Sequence, residues 1–352
     1  MKPLSEESRV PTIKEVSNRA NVSASTVSRV LNGTVPVAEA TRQRVLDAIA
    51  ELNYRPNAFA RSLATNRSGG VGVSVNDLAS PYYGAMVQGV EAEIDAAGMH
   101  LLVASGHVDA RKERASLEFL LERRSDALIV HLESMSDPEI LGFMETMSHE
   151  VPLVLLGRYL ADAEDRCVWL DNEAGGALAT RHLLANGHTR IAHLSGPLWF
   201  PDARARLQGY RHALEEAGLA YDERYVVEAD FLEKGGYLAT QRLLARHVPF
   251  TAIFSGNDQM GAGAIQALRE SGFSVPGDIS LIGFDDVLFA RYLTPTLTTV
   301  RQPLAEMGRA AARIALDALD ALDGKETEVP HKFEPALVVR ESVRRLVRLP
   351  PE

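Results

Sequence analysis

The stretch Thr12-Ile-Lys-Glu-Val-Ser-Asn-Arg-Ala-Asn-Val-Ser-Ala-Ser-Thr-Val-Ser-Arg-Val-Leu-Asn-Gly33 contains two helical patterns joined by a sharp corner. Thr12 caps the first helix, Ile13–Ala20, with Glu15 at the reciprocal capping-box position. Ile13, Val16 and Ala20 share one face. Asn21 tolerates the left-handed backbone that a tight helix-to-helix corner requires. Ser23 caps the second helix, which turns Val27, Val30 and Leu31 inward and Ala24, Ser25, Ser28 and Arg29 outward, until Asn32-Gly33 ends it. A third pattern, Glu39–Leu52, puts Val45, Leu46, Ile49 and Leu52 inside and Thr41 to Arg44 toward water. The result is a small trihelical unit with its own core.

Beyond Pro56, residues 57–65 (Asn-Ala-Phe-Ala-Arg-Ser-Leu-Ala-Thr) allow only about two turns of helix, a length at which nucleation outweighs the few bonds gained. That stretch is expected to stay disordered until something holds it. Charge divides at the same place. Residues 1–67 carry ten Lys/Arg against six Asp/Glu, whereas 68–352 carry 27 against 41, which together give the net −10 of the 352-residue chain. A basic head on an acidic body points to a polyanion-binding module carried by something larger.

From Val71 onward short β-rich runs alternate with amphipathic helices. Strands are expected at Val71–Val75, Leu101–Ala104, Ala127–Val130, Leu153–Leu156, Ile191–Leu194, Tyr225–Glu228, Ala252–Ser255 and Leu281–Phe284. Helices at roughly 84–97, 110–124, 137–148, 173–186, 203–217, 234–246 and 259–271 separate them. This alternation implies parallel sheets with right-handed crossovers. The number of units favours two similar α/β lobes over one wide sheet, with a ligand cleft at the strands' carboxyl ends.

The head, together with Thr41-Arg42 and Leu52-Asn-Tyr-Arg-Pro-Asn-Ala-Phe-Ala-Arg-Ser-Leu63, closely resembles the lactose/galactose repressor family of bacterial regulators. One departure is Asn21, where that family usually has Gly. The resemblance implies a helix-turn-helix whose second helix enters the major groove. Ala24, Ser25 and Arg29 would then meet base edges, Arg29 pairing with guanine for roughly 1–3 kcal/mol of discrimination. Ser23, Thr26, Ser28, Asn32, Thr41 and Arg42 would contact phosphates, which position without specifying. In the resembling family the hinge folds on its operator and drives a leucine into the minor groove. The matching residue is Leu63, with Asn57 and Ala60 beside it. Two such heads on a two-fold dimer match pseudopalindromic double-stranded DNA. The family's tetramers use a C-terminal leucine heptad tail; Val343–Glu352 carries no heptads, so a homodimer is expected.

The resemblance divides the chain into a head (1–56), a hinge and linker (57–68), an effector and dimerisation body (69–342) and a tail (343–352). Within the body, lobe 1 is expected at about 71–170 and 304–331, lobe 2 at about 171–300 and 332–342. The body looks like the family's core, itself similar to periplasmic sugar-binding proteins, on the marks Pro81-Tyr-Tyr-Gly84, Leu170-Asp-Asn172, Asn257-Asp-Gln-Met260, Gly283-Phe-Asp-Asp286 and Pro295 to Pro303. Ala127-Leu-Ile-Val-His131, Arg166 to Asn172 and Ala290-Arg-Tyr292 are closest to galactose-type repressors. Matched positions imply an effector site of Tyr82, Tyr83, His107 and His131 from one lobe, Asp202, Arg206, Phe231, Asn257 and Asp285 from the other, and Gln302 at the crossover. Tyr83 and Phe231 could sandwich a pyranose ring. Asp202 and Arg206, four apart, could steady each other. The set favours a neutral sugar such as a hexose over a phosphorylated one, although His107 and His131 could accommodate an acid. Gly157 stands where some relatives have an acid, leaving Arg158 to project instead. Ligand closing the lobes would melt the hinge and release the operator; a co-repressor acting in the opposite sense fits the residues equally.

Other classes are disfavoured. One cysteine, Cys167, excludes a disulfide framework and a Cys metal cluster. The N-terminus has no apolar core of a signal peptide and no apolar run is of spanning length, so a cytoplasmic protein without membrane contact is expected. No G-x-G-x-x-G follows a strand, and P-loop, G-x-S-x-G and H-E-x-x-H motifs are missing, which argues against an enzyme and implies no cofactor. A periplasmic-type sugar-binding protein without a DNA role would explain the body but leaves residues 12–65 without a purpose.

Overall fold

The computed structural model describes residues 11–32, 36–54, 68–147, 151–320 and 330–346. It divides into two compact units, one ending at Ser68 and one beginning at Gly69.

In the first unit α1 spans Ile13–Ala20, α2 Ala24–Asn32 and α3 Glu39–Glu51. Thr12 and Glu15 form the expected capping box. Asn21 ends α1 at φ 53° and ψ 52°, the left-handed conformation that turns the chain into α2. Val16, Ala20, Val27, Val45 and Ala48 form the core, packed by Ile13, Val22, Val30, Leu31, Ile49, Leu52 and Tyr54. Leu46 departs from expectation and is exposed. Positions 45, 48, 49 and 52 make a stripe of helical period, and 46 lies about 100° off it.

The second unit contains two six-stranded sheets. Its elements are β1 (Gly70–Val75), α4 (Pro81–Ala96), β2 (His100–Ser105), α5 (Ala110–Glu122), β3 (Ala127–Val130), α6 (Asp137–Met147), β4 (Leu153–Leu156), β5 (Cys167–Leu170), α7 (Asn172–Ala185), β6 (Ile191–Ser195), α8 (Pro201–Glu216), β7 (Val226–Glu228), α9 (Glu233–Ala245), β8 (Ala252–Ser255), α10 (Asp258–Glu270), β9 (Ser280–Asp285), β10 (Thr298–Arg301), α11 (Leu304–Asp320), β11 (Lys332–Phe333) and β12 (Ala336–Val338). The first sheet runs β11-β5-β4-β3-β1-β2, all parallel. The second runs β12-β10-β9-β8-β6-β7, parallel except for β12. The β1, β3, β4, β8 and β9 strands are buried along their whole length, as strands covered by helices on both faces must be.

The chain passes between the sheets at Asp171, at Gln302-Pro303 and at Glu334-Pro335. The last crossing corrects the expected lobe boundary: Lys332 and Phe333 pair with β5 in the first sheet instead of opening lobe 2. The expected tail is also shorter. The Leu346 amide donates to Asn186 O at 2.8 Å, and the Arg344 amide donates to Ser280 Oγ at 3.0 Å, so the chain stays on the second lobe through Leu346.

Candidate functional site

In the head, Ser23 Oγ accepts the Thr26 amide at 3.1 Å and lies 2.7 Å from Ser25 Oγ, fixing the first turn of α2. Ser23, Ala24, Ser25 and Arg29 are exposed, whereas Thr26 and Ser28 are half-buried. One helix surface thus offers a methyl, two hydroxyls and a guanidinium, the groups that read base edges and phosphates. Of Asn32 only its place as the last residue of α2 is described. Arg42 is exposed and pairs with Glu39 at 3.3 Å, and Thr41 Oγ1 accepts from Arg44. Asn57, Ala60 and Leu63 lie outside the described residues.

In the body a cavity of about 400 Å³ opens at the carboxyl ends of both sheets. Tyr82, Tyr83, His107, His131, Asp202, Arg206, Phe231, Asn257 and Asp285 all line it, so nine of the ten expected effector residues meet there. Gln302 does not line it. Its side chain is buried behind Asp285, whose carboxylate accepts from Gln302 Nε2 at 2.7 Å. It holds the Asp285 carboxylate from behind.

Arg206 sits in the second turn of α8. Helices α7 and α8 touch backbone to backbone: a Cβ on Gly176 would lie 2.2 Å from Arg206 O. Its guanidinium donates to Asn172 Oδ1 at 2.8 Å and Gly256 O at 2.6 Å, and it stacks 3.9 Å from the centre of the Phe284 ring. It lies 3.9 Å from Asp202 and 3.7 Å from Asp285. Burial pushes the Asp285 carboxyl up to about 6 against the pull of Arg206 and Gln302, and burial likewise raises Asp202. The neighbouring Asp286 faces away, held by Arg301 and Arg340.

Asn257 caps α10, accepting the Met260 amide at 2.9 Å, while its Nδ2 donates to Phe231 O at 2.9 Å. That bond holds Phe231 at φ 68° with its ring over Gly196, where a Cβ would collide at 2.1 Å. Across the cleft, Tyr82, Tyr83 and His131 meet edge to face, with Tyr83 and His131 centroids 5.0 Å apart. Burial, reinforced by Arg158, holds the His131 imidazole down to about 3, so it is neutral and offers no cation to an acidic ligand. Arg158 does not enter the cleft: it donates to Leu132 O and Met135 O and pairs with Asp137.

Sequence reasoning missed Asn76, Ser80, Glu133 and Gln259, with Asp77 and Asp230 at the rim. Asn76 directly follows β1 and Glu133 follows β3 by three residues, so the strand-end rule would have flagged both. Ser80 Oγ donates to Gln259 Oε1 at 2.9 Å, linking the two lobes across the cleft.

Residues 12–57 match the model of bacterial regulatory proteins of the lacI family, and 180–343 match a periplasmic binding protein-like domain. The chain is 44% identical over 332 residues to the HTH-type transcriptional regulator GalR of Escherichia coli K12, spanning 94% of this chain and 95% of that protein. It is 38% identical over 333 residues to the HTH-type transcriptional repressor PurR of Klebsiella pneumoniae strain 342, spanning 94% and 96%. Among solved structures it is similar to the lac repressor dimer bound to operator and the anti-inducer ONPF, with TM-score 0.84, 29% identity, and 96% and 100% of the two chains covered. It is also similar to a CelR–cellobiose complex, with TM-score 0.69, 34% identity, and 94% and 99% covered. A helix-turn-helix head followed by a two-lobed body with a cleft defines a DNA-binding transcriptional regulator, not an enzyme. The chain belongs to the LacI family of bacterial regulatory proteins.

Proposed function

We propose that this regulator is a cytoplasmic homodimeric repressor whose grip on a pseudopalindromic operator is set by a small sugar in the cleft. The observation that carries the reading is the cleft cavity in which Arg206 is shared by Asp202 and Asp285 between aromatic walls. Paired charged groups order a sugar's hydroxyls, and flat rings cover its C–H faces. The volume suits a ligand of that size. Relatives solved with cellobiose and with ribose support the ligand class, and the lac repressor solved as a dimer on its operator supports the assembly. Ala24, Ser25 and Arg29 are assigned to base edges, Ser23, Thr26, Ser28 and Asn32 to phosphates, and Asn57, Ala60 and Leu63 to the minor groove. Gel-shift titration of the full chain on its operator with a panel of hexoses and disaccharides tests the switch. A sugar that changes operator affinity at least tenfold is expected, since coupling energies of roughly 1–3 kcal/mol are typical; no effect from any of them sinks the reading.

A further inference from the structure

The cleft carries one more enclosed acid than its cation can serve. Asp202 and Asp285 share Arg206. Glu133, 8% exposed, is the third carboxyl, and among the described residues no Lys or Arg nitrogen lies within 4.0 Å of it. The backbone is built to present it there. The buried Glu113 carboxylate accepts the amides of Glu133, Ser134 and Met135, at 2.9–3.0 Å, and Arg158 clamps the same loop from the other side. Glu133 is faced by Tyr83, Glu113, His131, Arg158, Asp202 and Arg206. His131 Nε2 is 3.6 Å from its carboxylate, but that ring is neutral, 3% exposed, and neither nitrogen has a hydrogen-bond partner. Burial, with Asp202 adding to it, raises the Glu133 carboxyl well above the usual range, against the pull of Arg158 and Arg206. The Glu133 carboxyl therefore lines the cleft with no cation beside it, backed by a buried neutral imidazole. A ligand donor placed there recovers free energy that the empty site forgoes.

We propose that the effector is a sugar bearing a basic amine, of the hexosamine class, whose ammonium group sits against the Glu133 carboxylate. This rests on the sugar-effector reading above and narrows it. A hydroxyl brings one hydrogen and no charge, whereas an ammonium brings three donors and the positive charge that Glu133 lacks. A phosphate or carboxylate would face Asp202, Asp285 and Glu133 together. Binding is proton-linked: an ammonium beside Glu133 pulls its raised carboxyl back down, so binding is expected to release protons to solvent.

Titration calorimetry on the full chain, with D-galactosamine, D-galactose and N-acetyl-D-galactosamine and their gluco counterparts, tests this. Each is run in two buffers of different ionisation enthalpy. The amine is expected to bind about tenfold or more tighter than its parent hexose, with proton release, and the acetylated sugar to lose both. E133Q should bring amine and hexose to equal affinity and abolish the proton release. A parent hexose that binds as tightly as its amine, or a preference that survives E133Q, overturns the amine assignment and leaves the sugar reading standing. If none of these sugars binds, the sugar reading falls and takes this inference with it.

Discussion

Arg206 is the residue on which the cleft's electrostatics converge, because buried Asp285 and half-buried Asp202 both depend on its single charge. Removing one partner of a buried ionic cluster costs about 3–5 kcal/mol, mainly through the charges left behind. Arg206→Met is therefore expected to destabilise the body by about that amount and to abolish the effector response. Adding Asp285→Asn in the same chain should restore part of the loss, read by urea unfolding. His131 makes a separate statement about pH. Its folded value of about 3 lies below that of a free imidazole, so the unfolded chain binds the extra proton. Its contribution to stability is complete above the unfolded value and is lost as pH falls toward 3. Between pH 7 and pH 5 the parent should lose about 2 kcal/mol more than His131→Asn. Equal losses in urea melts at the two pH values would show that the folded ring takes up a proton as readily as a free imidazole. On the DNA side, Arg29→Ala should reduce discrimination at a guanine position by about 1–3 kcal/mol, measured as the ratio of cognate to mismatched operator affinity.

At the level of helices and strands, legibility tracked how local the cause was. The strands Ala127–Val130 and Leu153–Leu156 are uninterrupted apolar runs, and the structure ends them where the runs end. By contrast β10 is half threonine. Thr299 Oγ1 donates to buried Asp258 at 2.6 Å, and Thr298 Oγ1 accepts the Arg340 amide at 2.9 Å. Those partners are 41 and 42 residues away, so no window of sequence reveals why polar side chains should be buried there. The site divides in the same way. The nine cavity-lining positions were legible by likeness, whereas the bonds that hold Gln302 behind Asp285 and the Glu133 loop on Glu113 join distant parts of the sequence. Element packing also gives a prediction. Gly176 and Gly209 let α7 and α8 touch, and a Cβ on Gly209 would lie 2.0 Å from Glu173 O. Gly176→Ala should force the helices apart, at a cost of about 1–3 kcal/mol, and weaken effector binding by displacing Arg206. Calorimetry and thermal melts showing neither change would contradict this packing.

Across the body as a whole, the Ser80–Gln259 bond is a latch between lobes, steadied at its far end by Gln259 Nε2 donating to Glu233 at 3.1 Å. A hydrogen bond of this kind contributes about 1 kcal/mol net, roughly a fivefold shift in a two-state equilibrium. Ser80→Ala should therefore open the ligand-free body, raising its radius of gyration in small-angle scattering and weakening effector affinity a few-fold. An unchanged scattering profile together with unchanged affinity would show that the latch bears no weight.

The three passages at Asp171, Gln302-Pro303 and Glu334-Pro335 have a bearing on proteolysis. With a single tether, one nick would let the halves of the body drift apart. With three, a protease that severs any one connection leaves the halves stitched by the other two, so a clipped chain should still elute as an intact particle and come apart only in denaturant.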